Sequence, residues 1–85
     1  MSPGERQARA LEAERFIKHP LFEEGVMGLE NAYIKEWRGS HDPVRREECW
    51  TAVKVLSQFR QRFTAIVSDG KMASIELEER RNSGR

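Results

Sequence analysis

The 85-residue sequence is poor in the residues that build covalent cross-links and catalytic sites. Cys49 is the only cysteine, so a disulfide within one chain is excluded. The two histidines, His19 and His41, have no neighbours at the spacing of a metal site or a catalytic triad. No glycine-rich phosphate loop and no paired zinc-binding cysteines occur. We therefore expect no enzymatic activity, no cofactor, no metal and no small-molecule substrate.

Long apolar runs are also missing. No stretch approaches the roughly 20 apolar residues that cross a membrane, and the N-terminus lacks the apolar run of a signal peptide. We therefore expect an intracellular protein without membrane contacts. The 15 lysines and arginines nearly balance the 14 acidic residues, so no strong overall charge attracts nucleic acid.

Charged residues are abundant instead, at 34% of the chain against 38% hydrophobic residues. Average soluble domains have about 25% charged residues, so the excess suits helices with wide solvated faces. A chain of this length buries only about 60% of its unfolded surface, which is marginal for a monomer. We expect helix packing to be supplemented by self-association.

The N-terminal half of the sequence contains a helix-start signal and a break between two predicted helices. Ser2 and Glu5 have the spacing of a capping box, with Pro3 in the first turn. The Ala-, Glu- and Arg-rich segment that follows predicts a first helix to Lys18. His19-Pro20 then predicts a break, because the residue before proline is driven out of the helical conformation.

Two amphipathic helices follow, separated by the turn Gly39–Pro43. Apolar residues at helical spacing predict a second helix over 20–38 and a third over 43–69, ended by Gly70. In the turn, Gly39 is expected in the left-handed conformation, and Asp42 and Pro43 are expected to start the third helix. Such a short connection makes the two helices antiparallel. Net acidic charge on the second helix and net basic charge on the third favour the same pairing.

The predicted fold class is therefore all-α: an antiparallel helical hairpin with an additional N-terminal helix and a possible short C-terminal helix. This describes a small three- to four-helix bundle. The first helix is expected to fold back on the third around Phe59 to Val67. Residues 71–81 form the possible last helix, residues 1–81 a single domain, and residues 82–85 a frayed tail.

Candidate binding residues each have two interpretations. Trp37 and Trp50 lie on opposite arms near the turn, where they form either a cap on the core or a partner-binding patch. Gly25 and Gly28 either admit another helix closely or mark a weak turn. Cys49 is either a buried apolar thiol or a thiolate activated by nearby arginines.

Basic residues of the third helix suggest a further surface. Arg45 and Arg46 join the partner-binding hypothesis because they lie beside the turn. A face for a nucleic-acid backbone is the other possibility, and ordinary solvated residues are the alternative to it. The candidate residues of this face are Lys54, Gln58, Gln61 and Arg62.

Four segments resemble a type of small helical protein encoded in tailed-phage and prophage genomes, often among head and packaging genes. They are His19-Pro20-Leu21-Phe22, Tyr33-Ile34-Lys35-Glu36-Trp37-Arg38, Arg46-Glu47-Glu48-Cys49-Trp50 and Asp69-Gly70-Lys71-Met72-Ala73. The resemblance covers the stretch from Ala13 to Ala73. It implies a non-enzymatic assembly or packaging role, similar to small terminase subunits whose helical hairpin builds a ring. The usual N-terminal DNA-binding domain of those subunits has no counterpart here.

The leading functional hypothesis is therefore a phage-type assembly or DNA-packaging accessory protein that self-associates or docks on a larger assembly. Its location would be the host cytoplasm or the virion. A small helical inhibitor of a host protein and an accessory nucleic-acid-binding protein are the alternatives.

Overall fold

The computed structural model describes residues 1–84, which form three α-helices and no strand. They are α1 (Pro3–Lys18), α2 (Pro20–Gly39) and α3 (Pro43–Ser83). The all-α prediction is confirmed. Contacts group the chain into two compact units. The hairpin unit is His19–Gln61, and the terminal unit joins Met1–Lys18 to the described residues from Arg62 onward.

Each helix begins with a side-chain cap, which the sequence predicts at Ser2 and Asp42 but not at His19, where it predicts only a break. The Glu5 backbone N–H donates to Ser2 Oγ over 3.1 Å, and the Glu5 carboxylate accepts from the Ser2 N–H over 3.4 Å. His19 is extended and its Nδ1 accepts the Leu21 N–H over 3.1 Å, so α2 starts at Pro20. At α3, Asp42 Oδ1 accepts the Val44 N–H over 3.1 Å. These bonds satisfy N–H groups that have no partner within the helix.

The hairpin unit pairs α2 with residues 43–61 of α3 in antiparallel orientation, as predicted. Phe22 and Phe59 stack with ring centroids 5.9 Å apart at the end far from the turn. Val26 and Cys49 are the buried apolar side chains of this unit, so Cys49 behaves as a small core residue. The predicted acidic–basic pairing is confirmed where Arg60 meets Glu23 and Glu30.

The turn itself differs from the prediction at Gly39. Among residues 1–84 no glycine has a positive φ, so Gly39 does not take the left-handed conformation. Ser40 instead ends α2 in an extended conformation, with φ −93° and ψ 139°. Its hydroxyl accepts the Asp42 N–H over 3.2 Å. Because an extended residue redirects the chain, no left-handed glycine is needed.

The expected helix end at Gly70 is wrong. α3 continues without interruption to Ser83, so no separate helix begins at Lys71. Gly70 is instead buried beneath α1. A Cβ at this position would overlap the Ala10 side chain and lie 3.3 Å from the Arg6 carbonyl oxygen. The glycine permits close helix packing, and that contact offsets its cost of about 1 kcal/mol in helix propensity.

The terminal unit pairs α1 antiparallel with the C-terminal part of α3. Phe16 and Phe63 have ring centroids 5.0 Å apart, and the Gln7 side-chain amide donates to Ser74 Oγ over 2.6 Å. The fold-back of α1 is therefore confirmed, but it extends further towards the C-terminus than Phe59 to Val67. Phe59 belongs to the hairpin unit. Buried small side chains line the contact: Ala10, Ala13 and Ala73.

Arg6 forms ion pairs that link α1 to the C-terminal part of α3. Arg6 donates to Asp69 Oδ1 over 2.8 Å and to Glu76 Oε2 over 2.8 Å. Of the predicted frayed tail, Asn82 and Ser83 belong to α3, and Arg85 lies outside the described residues. Whether residues 1–81 act as one domain stays a prediction.

Replacing a glycine by alanine should have opposite effects on stability in α2 and in α3. Gly70→Ala should destabilise the protein by about 1–3 kcal/mol, because the new methyl group meets Ala10 and the α1 backbone. Gly28→Ala is the matched control, since open space surrounds the added methyl and alanine favours the helix by about 0.5–1 kcal/mol. Urea unfolding at one protein concentration measures both. A Gly70→Ala protein as stable as wild type would contradict close packing.

Stability should fall in acid. The hydrogen bond from Arg6 lowers the pKa of Asp69 below its ordinary 3.8, and that from Arg45 lowers the pKa of Glu36 below its ordinary 4.5. A carboxylate with a lowered folded-state pKa stabilises the protein above its unfolded pKa and loses this contribution as pH falls. These two carboxylates should therefore give a thermal midpoint that stays constant with pH between about pH 5 and 7 and falls below about pH 4.5.

Asp69→Asn tests this link directly. The variant should melt below wild type at pH 7, and the difference should shrink as the pH approaches 2, where Asp69 becomes protonated. Circular dichroism melts of both proteins across this range provide the measurement. A constant difference at every pH would show that the Asp69 charge is not responsible.

Candidate partner-binding site at the hairpin turn

The structure brings the two tryptophans together beside the turn of the hairpin unit. Trp37 lies in the last turns of α2 and Trp50 in the first turns of α3. Both indoles line an open cleft of about 580 Å³ and a smaller neighbouring one of about 180 Å³. Pro43, Arg46 and Glu47 complete the lining of the larger cleft, called here the Trp cleft.

Neither indole is sealed in the core. Trp37 is 36% exposed and Trp50 is 50% exposed. A cap on the core would bury both rings, so the geometry matches the partner-patch interpretation better. An exposed tryptophan leaves a large apolar area to be covered by a partner, and its indole N–H can donate a hydrogen bond there.

Two cations lie over the rings. The Arg46 guanidinium carbon is 4.3 Å from the centre of the Trp37 ring, and Lys54 Nζ is 5.6 Å from that of Trp50. Arg46 also donates to the Ser40 carbonyl over 3.3 Å, which ties it to the turn. Cation–π contacts of this kind contribute about 0.5–1 kcal/mol at exposed sites. The cleft therefore combines apolar rings with fixed positive charge.

Arg45, the residue before Arg46, forms ion pairs with two glutamates. It donates to both carboxylate oxygens of Glu36, over 2.6 and 2.7 Å, and to Glu48 over 2.9 Å. The hydrogen bonds with these two glutamates raise the pKa of Arg45 above its already high value. Arg45 thus braces α2 against α3 and does not line the Trp cleft.

The remaining predicted site residues lie elsewhere. Gly25 and Gly28 are exposed on α2, and a Cβ at either would meet nothing within 4 Å, so neither admits a close helix within the described chain. Gln58 and Gln61 are exposed on α3. Arg62 belongs to the terminal unit. Of the proposed nucleic-acid face, Lys54 alone joins the tryptophans.

Sequence reasoning missed Pro43 and Glu47 as parts of the cleft, and it missed the contact of Lys54 with Trp50. The signal for the lysine was present, because Arg46, Trp50 and Lys54 follow each other at intervals of four residues and share one helix face. Glu47 and Pro43 lie three and seven residues before Trp50, which also places them on its side of the helix. Counting three, four and seven residues from Trp50 would have indicated these lining residues.

The cleft offers recognition chemistry rather than an obvious reactive group. Cys49 is buried, and no cluster of metal-binding side chains occurs among residues 1–84. Within that part of the chain, no helix is long and apolar enough to cross a membrane. Comparison with family models, curated proteins and solved structures found no match to this chain. A functional assignment therefore depends on the geometry of the chain itself.

The stacking of Arg46 on Trp37 can be tested in a Trp50→Phe background, where Trp37 is the only fluorophore of its kind. Removing the guanidinium by Arg46→Ala should raise acrylamide quenching of Trp37, because the ring loses its cover. Acrylamide is neutral, so the lost charge does not affect the quencher. Unfolding free energy should change by no more than about 1 kcal/mol. Lys35→Ala, also on α2, is the control and should leave quenching unchanged.

Proposed function

We propose that this chain is a non-enzymatic assembly or DNA-packaging accessory protein of the tailed-phage type, acting through protein–protein contacts and self-association. The observation that supports it most is the pair of half-exposed indoles in the Trp cleft. Tryptophan and arginine are the residues most enriched at energetic hot spots of interfaces. The resemblance of four segments to phage head and packaging proteins supports the phage-type part.

The chemistry of the Trp cleft favours a particular kind of partner segment. Two indoles and Pro43 would receive an apolar side chain, while Arg46 and Lys54 would attract a carboxylate beside it. Glu47 on the same wall disfavours a strongly acidic segment that lacks the apolar anchor. We therefore expect an apolar side chain flanked by one or two acidic residues.

Partner binding should depend more on the two indole rings of the Trp cleft than on exposed side chains beside it. Trp37→Ala and Trp50→Ala together should weaken partner binding at least about 30-fold, the equivalent of one hot spot of about 2 kcal/mol. Val44→Ala is the matched control: this side chain is exposed beside the turn but does not line the Trp cleft. It should leave affinity within about threefold.

The measurement is capture of purified head and packaging proteins encoded by the genes flanking this one, followed by titration calorimetry of any complex. Binding of one such protein, lost in the double tryptophan variant and kept in Val44→Ala, supports the proposal. Failure of every flanking product to bind contradicts it. A stoichiometric complex with a host protein instead, formed through the same cleft, would favour the inhibitor alternative.

A further inference from the structure

The smaller cleft beside the Trp cleft is a pocket between the two helices of the hairpin unit. Its volume is about 180 Å³, and it is the more enclosed of the two. Because Cys49 is a buried core residue, the pocket reaches the core of the unit. We call it the indole pocket. Five of its six lining residues are apolar: Ile34, Trp37, Cys49, Trp50 and Val53.

Helical spacing brings these side chains to the pocket from both helices. Ile34 and Trp37 are three residues apart on α2, so they share one side of that helix. Trp50 and Val53 have the same spacing on α3. Ile34 and Val53 are half-buried, whereas both indoles are more exposed. The pocket is therefore a gap in the packing of α2 against α3, with two aromatic rings at the protein surface.

The indole pocket has the size of one aromatic ring. An engineered protein cavity of about 150 Å³, lined by apolar side chains, binds benzene. A volume of about 180 Å³ therefore admits a phenyl group and part of the chain that carries it. The two indoles favour an aromatic occupant over an aliphatic one, because aromatic rings attract each other in offset and edge-to-face arrangements.

Arg38 is the charged residue of the indole pocket. Its side chain is exposed and forms no ion pair or hydrogen bond with another of residues 1–84. Arg45 differs, because its guanidinium is already bonded to two glutamates. Arg46 and Lys54 lie over the indoles, and Glu47 lines the larger cleft but not this pocket. The positive charge at the indole pocket is therefore not neutralised within the described chain.

We infer that the indole pocket receives one phenyl-sized aromatic side chain of a partner protein, and that Arg38 binds a carboxylate next to that ring. The inference rests on the proposed function and names the pocket that holds the apolar anchor. The ring fills the gap between α2 and α3, and the guanidinium forms a charge-assisted hydrogen bond outside it. Arg38, which sequence reasoning did not single out, thus selects a segment with an acidic residue beside its aromatic one.

Hydrocinnamate, a phenyl ring joined to a carboxylate by two methylene groups, is the probe for this site. The indole N–H signals of Trp37 and Trp50 in ¹⁵N-labelled protein report its binding. Both signals should shift with one dissociation constant on the order of 1–10 mM, the affinity expected of a ligand of this size. Propionate lacks the ring and should bind at least about tenfold more weakly.

Hydrocinnamide, the uncharged amide of the probe, tests the role of Arg38. Wild type should bind hydrocinnamate about three- to fivefold more tightly than hydrocinnamide, the contribution of a partly exposed ion pair. Arg38→Gln should bind both equally. Lys35→Gln is the matched control, because it removes a charge from the same helix outside the pocket, and it should keep the wild-type preference. A preference that survives Arg38→Gln overturns the role of Arg38.

Filling the pocket tests the site of the ring. Val53→Phe should weaken hydrocinnamate binding at least about tenfold, because its own phenyl group occupies the space. Val55→Phe is the matched control, since it adds the same group at an exposed position of α3 that does not line the pocket. Unchanged binding in Val53→Phe overturns the pocket as the ring site. Far-UV circular dichroism verifies folding, and the Arg38→Gln comparison decides if Val53→Phe does not fold.

An acetylated Phe-Glu amide should bind at least as tightly as hydrocinnamate, because it carries both groups on a peptide. Failure of hydrocinnamate to bind overturns the inference. Binding of hydrocinnamate but not of the peptide overturns it as well, in favour of a free aromatic acid. Shifts caused only by oligothymidylate would favour bases stacked on the indoles instead.

The failure of this inference and that of the proposed function are distinguishable. A flanking-gene product captured through the Trp cleft, without binding of either probe at the indole pocket, supports the proposed function and removes the inference. Probe binding that depends on Arg38 and is blocked by Val53→Phe, without capture of any flanking-gene product, supports the pocket and contradicts the proposed function.

Discussion

Arg60 reaches across from α3 to Glu23 and Glu30, two residues that lie seven positions apart on one face of α2. Each ion pair is partly exposed and contributes no more than about 1 kcal/mol, so the energy of the hairpin comes mainly from apolar contacts around Phe22, Val26 and Cys49. Those apolar contacts have little directional preference, whereas one arginine bonded to two glutamates restricts how α2 and α3 can rotate about their axes. That rotation decides which side chains lie beside Trp37 and Trp50 in the Trp cleft.

Local signals in the sequence predict most of the hairpin because they act within a few residues. Ser2, His19 and Asp42 each bond to backbone N–H groups two or three positions ahead, so the helix starts follow from neighbouring residues alone. The antiparallel pairing follows from the short turn. None of this requires knowledge of a distant contact.

The glycines show which features of the fold cannot be predicted from neighbouring residues alone. Gly39 and Gly70 have the same local meaning, a helix stop, yet Gly39 is the last residue of α2 and Gly70 lies inside α3. The difference comes from Ala10 and Arg6, about sixty residues away, whose helix fills the space above Gly70. Gly25 and Gly28 have no such neighbour in the described chain. The structural role of a glycine therefore depends on which residues of other helices contact it, and its neighbours in sequence do not reveal this.

The candidate site was predictable to a similar extent. The distance of Trp37 and Trp50 from the turn predicts that they meet, since both arms start at the same bend. Which side chains flank them depends on the rotation of each helix about its axis, and this is fixed by Arg60 and Phe59 rather than by the turn. Lys54 was therefore assigned to a nucleic-acid face when its four-residue interval from Trp50 already linked it to the indole.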